Sequence, residues 1–354
     1  MSPTEITGSL ITTRDGIIGA WNDPKSPAPP DRPLGGVANL KQWSPSYRAL
    51  VFDAELTSRL CFCHGKGGYD ASLYHMSIAE APEGPTGAEF TPVVHMDRPT
   101  KETFREQLAF LHGYANIRTD RYGEILDQIG AITPFQASIA FLRADTKPKS
   151  HELLEVAFRL ARHVEHQFKH ALACRRPIEL SAQVQPIIET PGHGTLPSGH
   201  STEAFMAAFV LWELLKDADL DPYGEESYGI QFMKLANRIA VNRTVAGVHF
   251  PLDSAAGATL GLTLGAYFVG RAKGGVGSYR PAHFDGRATM PAEDTSIGHR
   301  DFHWTMAFDV KAGQIRQDED AHPSIKLLKD KVELEGQGSE ILHWLWDEAR
   351  KEWT

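Results

Sequence analysis

Apolar residues recur with a helical period through the middle of the chain. The pattern is clearest in residues 149–175, where five apolar side chains fall on one side of a helical wheel: Leu153, Ala157, Leu160, Val164 and Phe168. The same period predicts helices at 100–116, 118–130, 134–144, 149–175, 200–217, 227–243 and 252–270. Prolines fall between these segments or in their first turns, where a missing N–H is tolerated. The pattern therefore predicts an all-α core, a helical bundle.

The two ends of the chain lack this regularity. Residues 1–95 look irregular and partly extended, with prolines and glycines between Pro27 and Gly36 and one short strand predicted at Tyr47–Asp53. After residue 272 the sequence is polar and Gly-rich, with a strand predicted at 303–309 and an amphipathic helix near 338–351. We therefore expect three parts: an N-terminal segment 1–95 packed on the core, a helical domain 96–275, and a C-terminal extension 276–354.

Composition excludes several classes of protein. The 354 residues are 42% hydrophobic and 23% charged, with a formal net charge of -9, so a nucleic-acid-binding surface is not expected. The three cysteines do not make a disulfide framework, and Cys61-Phe-Cys63-His64 is too short a ligand set for a zinc site. The N-terminus does not resemble a signal peptide, and the apolar stretch 254–270 is expected to be a buried helix, not a membrane span. These features predict a cytoplasmic protein.

Three short segments at predicted helix boundaries contain the candidate functional residues. The first runs from Lys169 to Arg176-Pro177, the second is Pro197-Ser198-Gly199-His200, and the third holds Arg243, His249 and Asp253. On a continuous helix Lys169 and Arg176 would point the same way, two turns apart, and Pro177 places Arg176 at the end of that helix. Taken alone, this segment is more typical of a solvated polar stripe.

The second and third segments favour an anion site over that alternative. Ser198 is an N-cap candidate, and the unpaired N–H groups of a helix N-terminus, with Gly199 and His200, form a cradle for an anion. Asp253 follows His249 by four residues and would fix the tautomer of its imidazole. Each segment alone also has an ordinary interpretation as helix capping or a buried histidine. Together they predict a site for a tetrahedral or trigonal-bipyramidal oxyanion.

In their order and spacing, the three segments resemble the signature of the type 2 phosphatidic acid phosphatase superfamily. That superfamily includes bacterial acid phosphatases, lipid phosphatases and vanadium-dependent haloperoxidases. Its pattern of Lys, six residues, Arg-Pro is matched at 169–177, and its Pro-Ser-Gly-His at 197–200. Its third pattern, Ser-Arg, five residues, His, three residues, Asp, is matched at 243–253 except that Asn242 replaces the serine. The resemblance implies the helical fold of the haloperoxidase and acid phosphatase type.

The resemblance also implies a role for each matched residue. Lys169, Arg176 and Arg243 would bind oxyanion oxygens, helped by Ser198 and the Gly199 N–H. His249 would be the nucleophile of a phosphatase or the single protein ligand of vanadium in a haloperoxidase. His200 would be the acid–base residue, and Asp253 would orient His249. Neither a nucleotide nor haem is expected.

His193 decides between the two chemistries at this stage. In the haloperoxidase branch its position resembles one that carries His in bromoperoxidases, although a loop histidine without a role is the alternative. The resemblance therefore favours a vanadate-dependent haloperoxidase that uses hydrogen peroxide to oxidise bromide or iodide, with a small organic acceptor. The alternative is a soluble acid phosphatase that hydrolyses phosphomonoesters through a phosphohistidine.

Two further interpretations stay open. His163, His166 and His170 recur on one helix and could ligate a metal in a binding bundle, and a degenerate, non-enzymatic family member is also conceivable. Against degeneracy, every reacting position is present. The flanking segments could cover the pocket or form a homodimer interface.

Overall fold

The computed structural model describes residues 3–19, 36–81, 84–288, 301–328 and 331–353. Helices α1 to α3 and strands β1 to β3 come first, followed by helices α4 to α11, then strands β4 to β9 and helix α12. The helices are α1 Pro3–Ile17, α2 Val37–Leu40, α3 Pro45–Thr57, α4 Lys101–Tyr114, α5 Arg118–Gly130, α6 Thr133–Ala140, α7 Pro148–Leu172, α8 Pro177–Leu180, α9 Gly199–Asp217, α10 Glu226–Val245, α11 Pro251–Ala272 and α12 Glu340–Lys351. The strands are β1 Leu60–His64, β2 Asp70–Ala81, β3 Gly84–Asp97, β4 Ser278–Tyr279, β5 Ala282–Phe284, β6 Phe308–Asp309, β7 Gln314–Ile315, β8 Ile325–Leu327 and β9 Val332–Glu333.

Helix α9 lies at the centre of the core, packed against α7, α10 and α11. The contact with α11 is close because α11 presents glycines to it: a Cβ on Gly257 would lie 2.6 Å from the Ser198 carbonyl oxygen. The predicted buried helix at 254–270 is thus confirmed as part of α11, where almost every side chain is inaccessible to solvent. This close packing brings the N-termini of α9 and α11 together.

The helices predicted from periodicity are confirmed, with boundaries that differ by a few residues. The α7 stripe of Leu153, Ala157, Leu160, Val164 and Phe168 is buried as expected. Thr100 caps α4 by accepting a hydrogen bond from the Thr103 N–H at 3.1 Å. The terminal helix predicted near 338–351 is α12.

The expectation for the N-terminal segment is only partly right. The strand predicted at Tyr47–Asp53 is wrong, because these residues lie in α3, which buries Arg48, Phe52 and Leu56 at a four-residue spacing. That spacing marks a helix face, and seven alternating residues were too few to exclude it. The prolines between 27 and 33 fall outside the described residues.

The all-α prediction is also incomplete, because a five-stranded sheet packs beside the helical core. Its order is β1-β2-β3-β5-β8, with antiparallel pairs except for the parallel pair of β3 and β5. Strands from both ends of the chain meet in it, and α11 contacts β3 and β5. The strand predicted at 303–309 is interrupted by a 3-10 turn at Trp304–Met306, and only the two residues of β6 pair in a sheet there.

Candidate oxyanion-binding site

Lys169 reaches the site from the end of α7. The helix ends at Leu172, and Ala173 adopts a left-handed conformation with φ of 46°. The Lys169 ammonium is buried and donates a hydrogen bond to the Pro197 carbonyl oxygen, which connects the first segment to the second. Burial lowers the pKa of Lys169 to about 8, although the nearby Glu165 carboxyl acts in the opposite direction.

Arg176 lies in the site for a different reason than predicted. It does not continue the face of α7, because that helix has already ended, and it stands instead as the N-cap residue of α8. Its guanidinium nevertheless turns back into the site, where Nη1 lies 2.9 Å from the Val248 carbonyl oxygen and 3.0 Å from His249 Nε2. Lys169 and Arg176 thus line the same cavity, as predicted, although α7 ends before the helical wheel can extend to Arg176.

The Ser198-Gly199-His200 turn begins α9 as expected. The Ser198 hydroxyl caps the helix by accepting a hydrogen bond from the Ser201 N–H at 3.4 Å, and the Ser198 N–H donates to the Asp253 carbonyl oxygen at 2.9 Å. A side chain at Gly199 would collide with the Glu165 carboxyl group, whose Oε1 lies 2.6 Å from the Cβ position. The turn therefore presents backbone N–H groups and the positive end of the α9 dipole to the site.

Arg243 lies in the last turn of α10, and part of its guanidinium group has no hydrogen-bond partner among the described atoms. Nη2 donates to the Ile125 carbonyl oxygen at 3.1 Å and to Gln128 Oε1 at 2.9 Å. Nε and Nη1 are buried and have no hydrogen-bond partner among the described atoms of the protein. Burial lowers the pKa of Arg243 to about 10, so the group is charged at neutral pH. Two orphaned donors on a buried cation indicate a site that is completed by an anion.

His249, Asp253 and Thr195 form a hydrogen-bonded unit behind the site. Asp253 Oδ2 lies 3.1 Å from His249 Nδ1, 2.5 Å from the Thr195 hydroxyl and 2.9 Å from the Phe250 backbone nitrogen. Asp253 therefore accepts the Nδ1 proton, which leaves the Nε2 lone pair directed at the site. Burial and the neighbouring Arg176 hold the pKa of His249 well below its ordinary value, so the imidazole is neutral.

His200 stands at the start of α9 and lines the same cavity as His249. Its Nε2 donates to the Gln128 carbonyl oxygen at 2.8 Å, which leaves Nδ1 without a proton in the neutral ring. Burial, reinforced by Arg243, lowers the pKa of His200 to about 4. A bound oxyanion would counter the charge of the surrounding cations and favour the protonated ring.

His193 sits at the entrance of the site beside Arg176. Its backbone carbonyl accepts from Arg176 Nε at 3.0 Å, and its Nδ1 lies 3.2 Å from Arg176 Nη2. Burial lowers its pKa to about 4. The residue therefore lines the pocket, as the sequence predicted, but its direct contact is with a cation of the site.

Three residues in the site were missed by the sequence reasoning. Gln128 on α5 accepts hydrogen bonds from Arg243 and His200, and the Thr195 hydroxyl donates one to Asp253. Glu165 lies against the Gly199 turn, and its buried Oε2 has no hydrogen-bond partner among the described atoms. Burial raises the pKa of Glu165 to about 8, so it is protonated at neutral pH. Only the position of Glu165, one turn before Lys169, could have drawn attention to it.

These residues surround one cavity of about 530 Å³. Its lining includes Lys169, Arg176, His193, Gly199, His200 and His249, while Ser198, Arg243 and Asp253 are buried and are not part of the lining. The three α7 histidines predicted as alternative metal ligands do not converge: they are exposed and form no three-ligand group in the ranges that the structure describes. We call the converging set of Lys169, Arg176, Ser198, Gly199, His200, Arg243 and His249 the oxyanion cage.

Residues 153–273 match the family model of the PAP2 superfamily, a range that contains all three segments. No curated protein matches the chain. One solved structure, the first transmembrane PAP2 type phosphatidylglycerolphosphate phosphatase from Bacillus subtilis, is 21% identical, covers 47% of this chain and 83% of its own, and has a TM-score of 0.37. None of the helices in the described ranges is both long enough and apolar enough to cross a bilayer.

Proposed function

We propose, from the premise that this chain belongs to the PAP2 superfamily through residues 153–273, that it hydrolyses phosphomonoesters through a phosphohistidine on His249. The observation that carries the proposal is the state of His249. Its ring is neutral, Asp253 accepts the Nδ1 proton, and Nε2 faces a cavity lined by cations. A neutral imidazole with a fixed tautomer is an effective nucleophile.

The first half of the reaction forms the phosphohistidine. Lys169, Arg176, Arg243 and the Gly199 N–H bind the non-bridging oxygens and stabilise the charge of the transition state. His249 Nε2 then attacks phosphorus, so that the N–P bond forms as the P–O bond to the alcohol breaks. With the anionic substrate bound, the His200 ring takes up a proton on Nδ1, the nitrogen that Gln128 does not engage, and passes that proton to the leaving oxygen.

The second half returns the enzyme to its starting state. Water attacks phosphorus and gives its proton to His200 Nδ1, the N–P bond breaks, and inorganic phosphate leaves. Asp253 remains a carboxylate throughout and stabilises His249 while the imidazole carries positive charge. The cavity is large enough for a phosphate with a small organic alcohol.

Vanadate-dependent halide oxidation is the second candidate, supported by the placement of His193. That residue lines the cavity and contacts Arg176. The cage suits vanadate as well as phosphate, because the orphaned donors of Arg243 would bind either oxyanion and His249 Nε2 could ligate vanadium. Bound vanadate would supply Lewis-acid activation of hydrogen peroxide, and the cations would hold its oxygens.

Paired assays on the full chain separate the two candidates. Hydrolysis of p-nitrophenyl phosphate is measured without vanadate, and bromide and iodide oxidation is measured with vanadate and hydrogen peroxide. The proposal expects hydrolysis that vanadate inhibits competitively, and a radiolabelled phosphoryl group on wild-type protein but not on His249→Ala. His163→Ala is the matched control, because His163 is exposed on α7 and does not line the cavity. Halide oxidation without phosphatase activity would replace the first candidate by the second.

A further inference from the structure

A second cluster of ligand-type side chains lies on the outer face of the sheet. It consists of His95 and Asp97 on β3 and His283 on β5. Each residue offers one ligand atom, and these atoms all lie within 4.8 Å of one another. We call His95, Asp97 and His283 the sheet triad. It shares no residue with the oxyanion cage.

Strand register explains why these three side chains meet. His95 pairs directly with His283 across the parallel ladder of β3 and β5, and Asp97 follows His95 by two residues, so all three share one face. The alternate residues Val94, Met96, Ala282 and Phe284 are buried against the core. The triad side chains are 20–26% exposed, which leaves water access to any bound ion.

The distances between the ligand atoms suit a small divalent ion. His283 Nε2 lies 2.7 Å from Asp97 Oδ2, and His95 Nε2 lies 3.5 Å from Asp97 Oδ1. In a tetrahedral zinc site with bonds near 2.0–2.1 Å, neighbouring ligand atoms are roughly 3.3 Å apart. Each histidine faces its own oxygen of Asp97, so an ion would draw together three ligand atoms that already lie within 4.8 Å of one another.

The surroundings of the triad also favour a metal. The Ser72 hydroxyl lies 2.8 Å from His95 Nδ1, so Nδ1 can donate its proton there and leave Nε2 free as a ligand. Lys326, which pairs with His283 in the sheet, is engaged by Asp285 at 2.6 Å and does not occupy the carboxylate of Asp97. An ordered outer hydrogen bond of this kind is what ligating histidines usually have.

We propose that the sheet triad binds a divalent transition-metal ion, with His95 Nε2, His283 Nε2 and the Asp97 carboxylate as ligands and water in the remaining position. Two histidines and one carboxylate are a ligand set that suits zinc and its neighbours in the first transition row. The ion would join β3 to β5, strands whose linked residues are 186 positions apart in the chain.

The test uses the full chain without a polyhistidine tag, treated with chelator and then titrated with Zn²⁺ alone. We expect one Zn²⁺ per chain by calorimetry and by elemental analysis after desalting. Asp97→Asn and His283→Gln should weaken binding by at least about 100-fold, and Ser72→Ala by about 10- to 100-fold. Saturating Zn²⁺ should raise the Tm of wild-type protein by several degrees but leave that of Asp97→Asn unchanged.

His343→Gln is the matched control. This histidine also lies near a carboxylate, with Nε2 3.8 Å from Asp347 Oδ2, but it is outside the triad, so its loss should leave binding unchanged. His249→Ala should likewise keep its zinc, which separates the triad from the cage. Phosphatase activity and circular dichroism verify that each triad variant is folded. If wild-type protein binds no Zn²⁺, or if Asp97→Asn and His283→Gln bind it as tightly as wild-type, the triad is an ion pair and the proposal is wrong.

Discussion

The oxyanion cage and the sheet triad place similar side chains in opposite settings. In the cage, Lys169, Arg176 and Arg243 are at most 2% exposed, and the electrostatic interactions among them are strong because water is excluded. In the triad the side chains are about a quarter exposed and reach solvent. Burial lowers the pKa values of the cationic groups in the cage and places their positive charges where they can stabilise a transition state. Partial exposure suits the triad to an ion that arrives from water and keeps water as a ligand.

The largest expected difference between the two sites is the effect of His249→Ala. Loss of the nucleophile should lower kcat for p-nitrophenyl phosphate by about 10⁴-fold or more, because no other group in the cage can form the covalent intermediate. Zinc binding at the triad should not change. Hydrolysis within about tenfold of wild-type would remove His249 from the mechanism.

Asp253→Asn compares the residues that orient a histidine in each site. The asparagine amide no longer compels Nδ1 to carry the proton, so we expect kcat to fall by roughly 10²-fold or more while the protein stays folded. Ser72 has the corresponding place in the triad, but because it lies outside the cage its loss should affect only metal affinity. An unchanged kcat in Asp253→Asn, measured with circular dichroism as a check on folding, would contradict the assigned tautomer.

Gly199→Ala tests how tightly the cage is packed. The added Cβ would lie 2.6 Å from Glu165 Oε1, so the turn or the carboxyl must shift, and we expect phosphate affinity to fall by about tenfold. Glu165→Ala in the same chain should restore much of that loss by removing the obstructing group. Competitive inhibition by phosphate gives the affinities. Failure of the double variant to recover would place the damage in the α9 backbone instead.

The smallest predicted effect concerns the pH dependence of phosphate binding. The pKa of Glu165 is raised to about 8, so the carboxyl is neutral below that pH and adds negative charge beside the cage above it. Lys169, whose pKa is lowered to about 8, loses its positive charge over the same range. Both changes weaken phosphate binding as the pH rises through 8. Glu165→Gln should match wild-type at pH 7 and lose a few-fold less affinity at pH 9. Superimposable pH profiles of the inhibition constant would show that Glu165 does not influence the anion.

The two sites also differ in how far the sequence predicts them. The cage residues stand at helix boundaries within 85 positions, and helix boundaries carry local signals: Ser198 as a cap, Pro177 and Pro251 in first turns. The triad depends on strand register between β3 and β5, which no local pattern encodes. The α3 segment shows the same limit, because alternation over seven residues fits two secondary structures until tertiary burial of Arg48 and Phe52 decides.

Within the cage, the sequence predicts the residues better than their geometry. Arg176 was expected at the end of the helix that carries Lys169, yet the left-handed turn at Ala173 ends α7 three residues earlier and Arg176 begins the next element. Gln128 and Thr195 could not be predicted because their contacts come from tertiary packing and no motif marks them. The fold class was predicted for the helical core, while the sheet at its side was missed for lack of regular alternation.

The two ends of α7 depend on distant parts of the chain. Its C-terminal turn carries Lys169. At its other end, the backbone N–H groups of Lys149 and Ser150 donate hydrogen bonds of 2.7 and 2.8 Å to the carboxylate of Glu352, a residue about 200 positions later in the chain. These amides should therefore exchange their hydrogens slowly only while α12 stays docked, so that local opening of the C-terminal helix would fray α7 from the end opposite the cage. In hydrogen-exchange terms, α7 and α12 would form one cooperative unit.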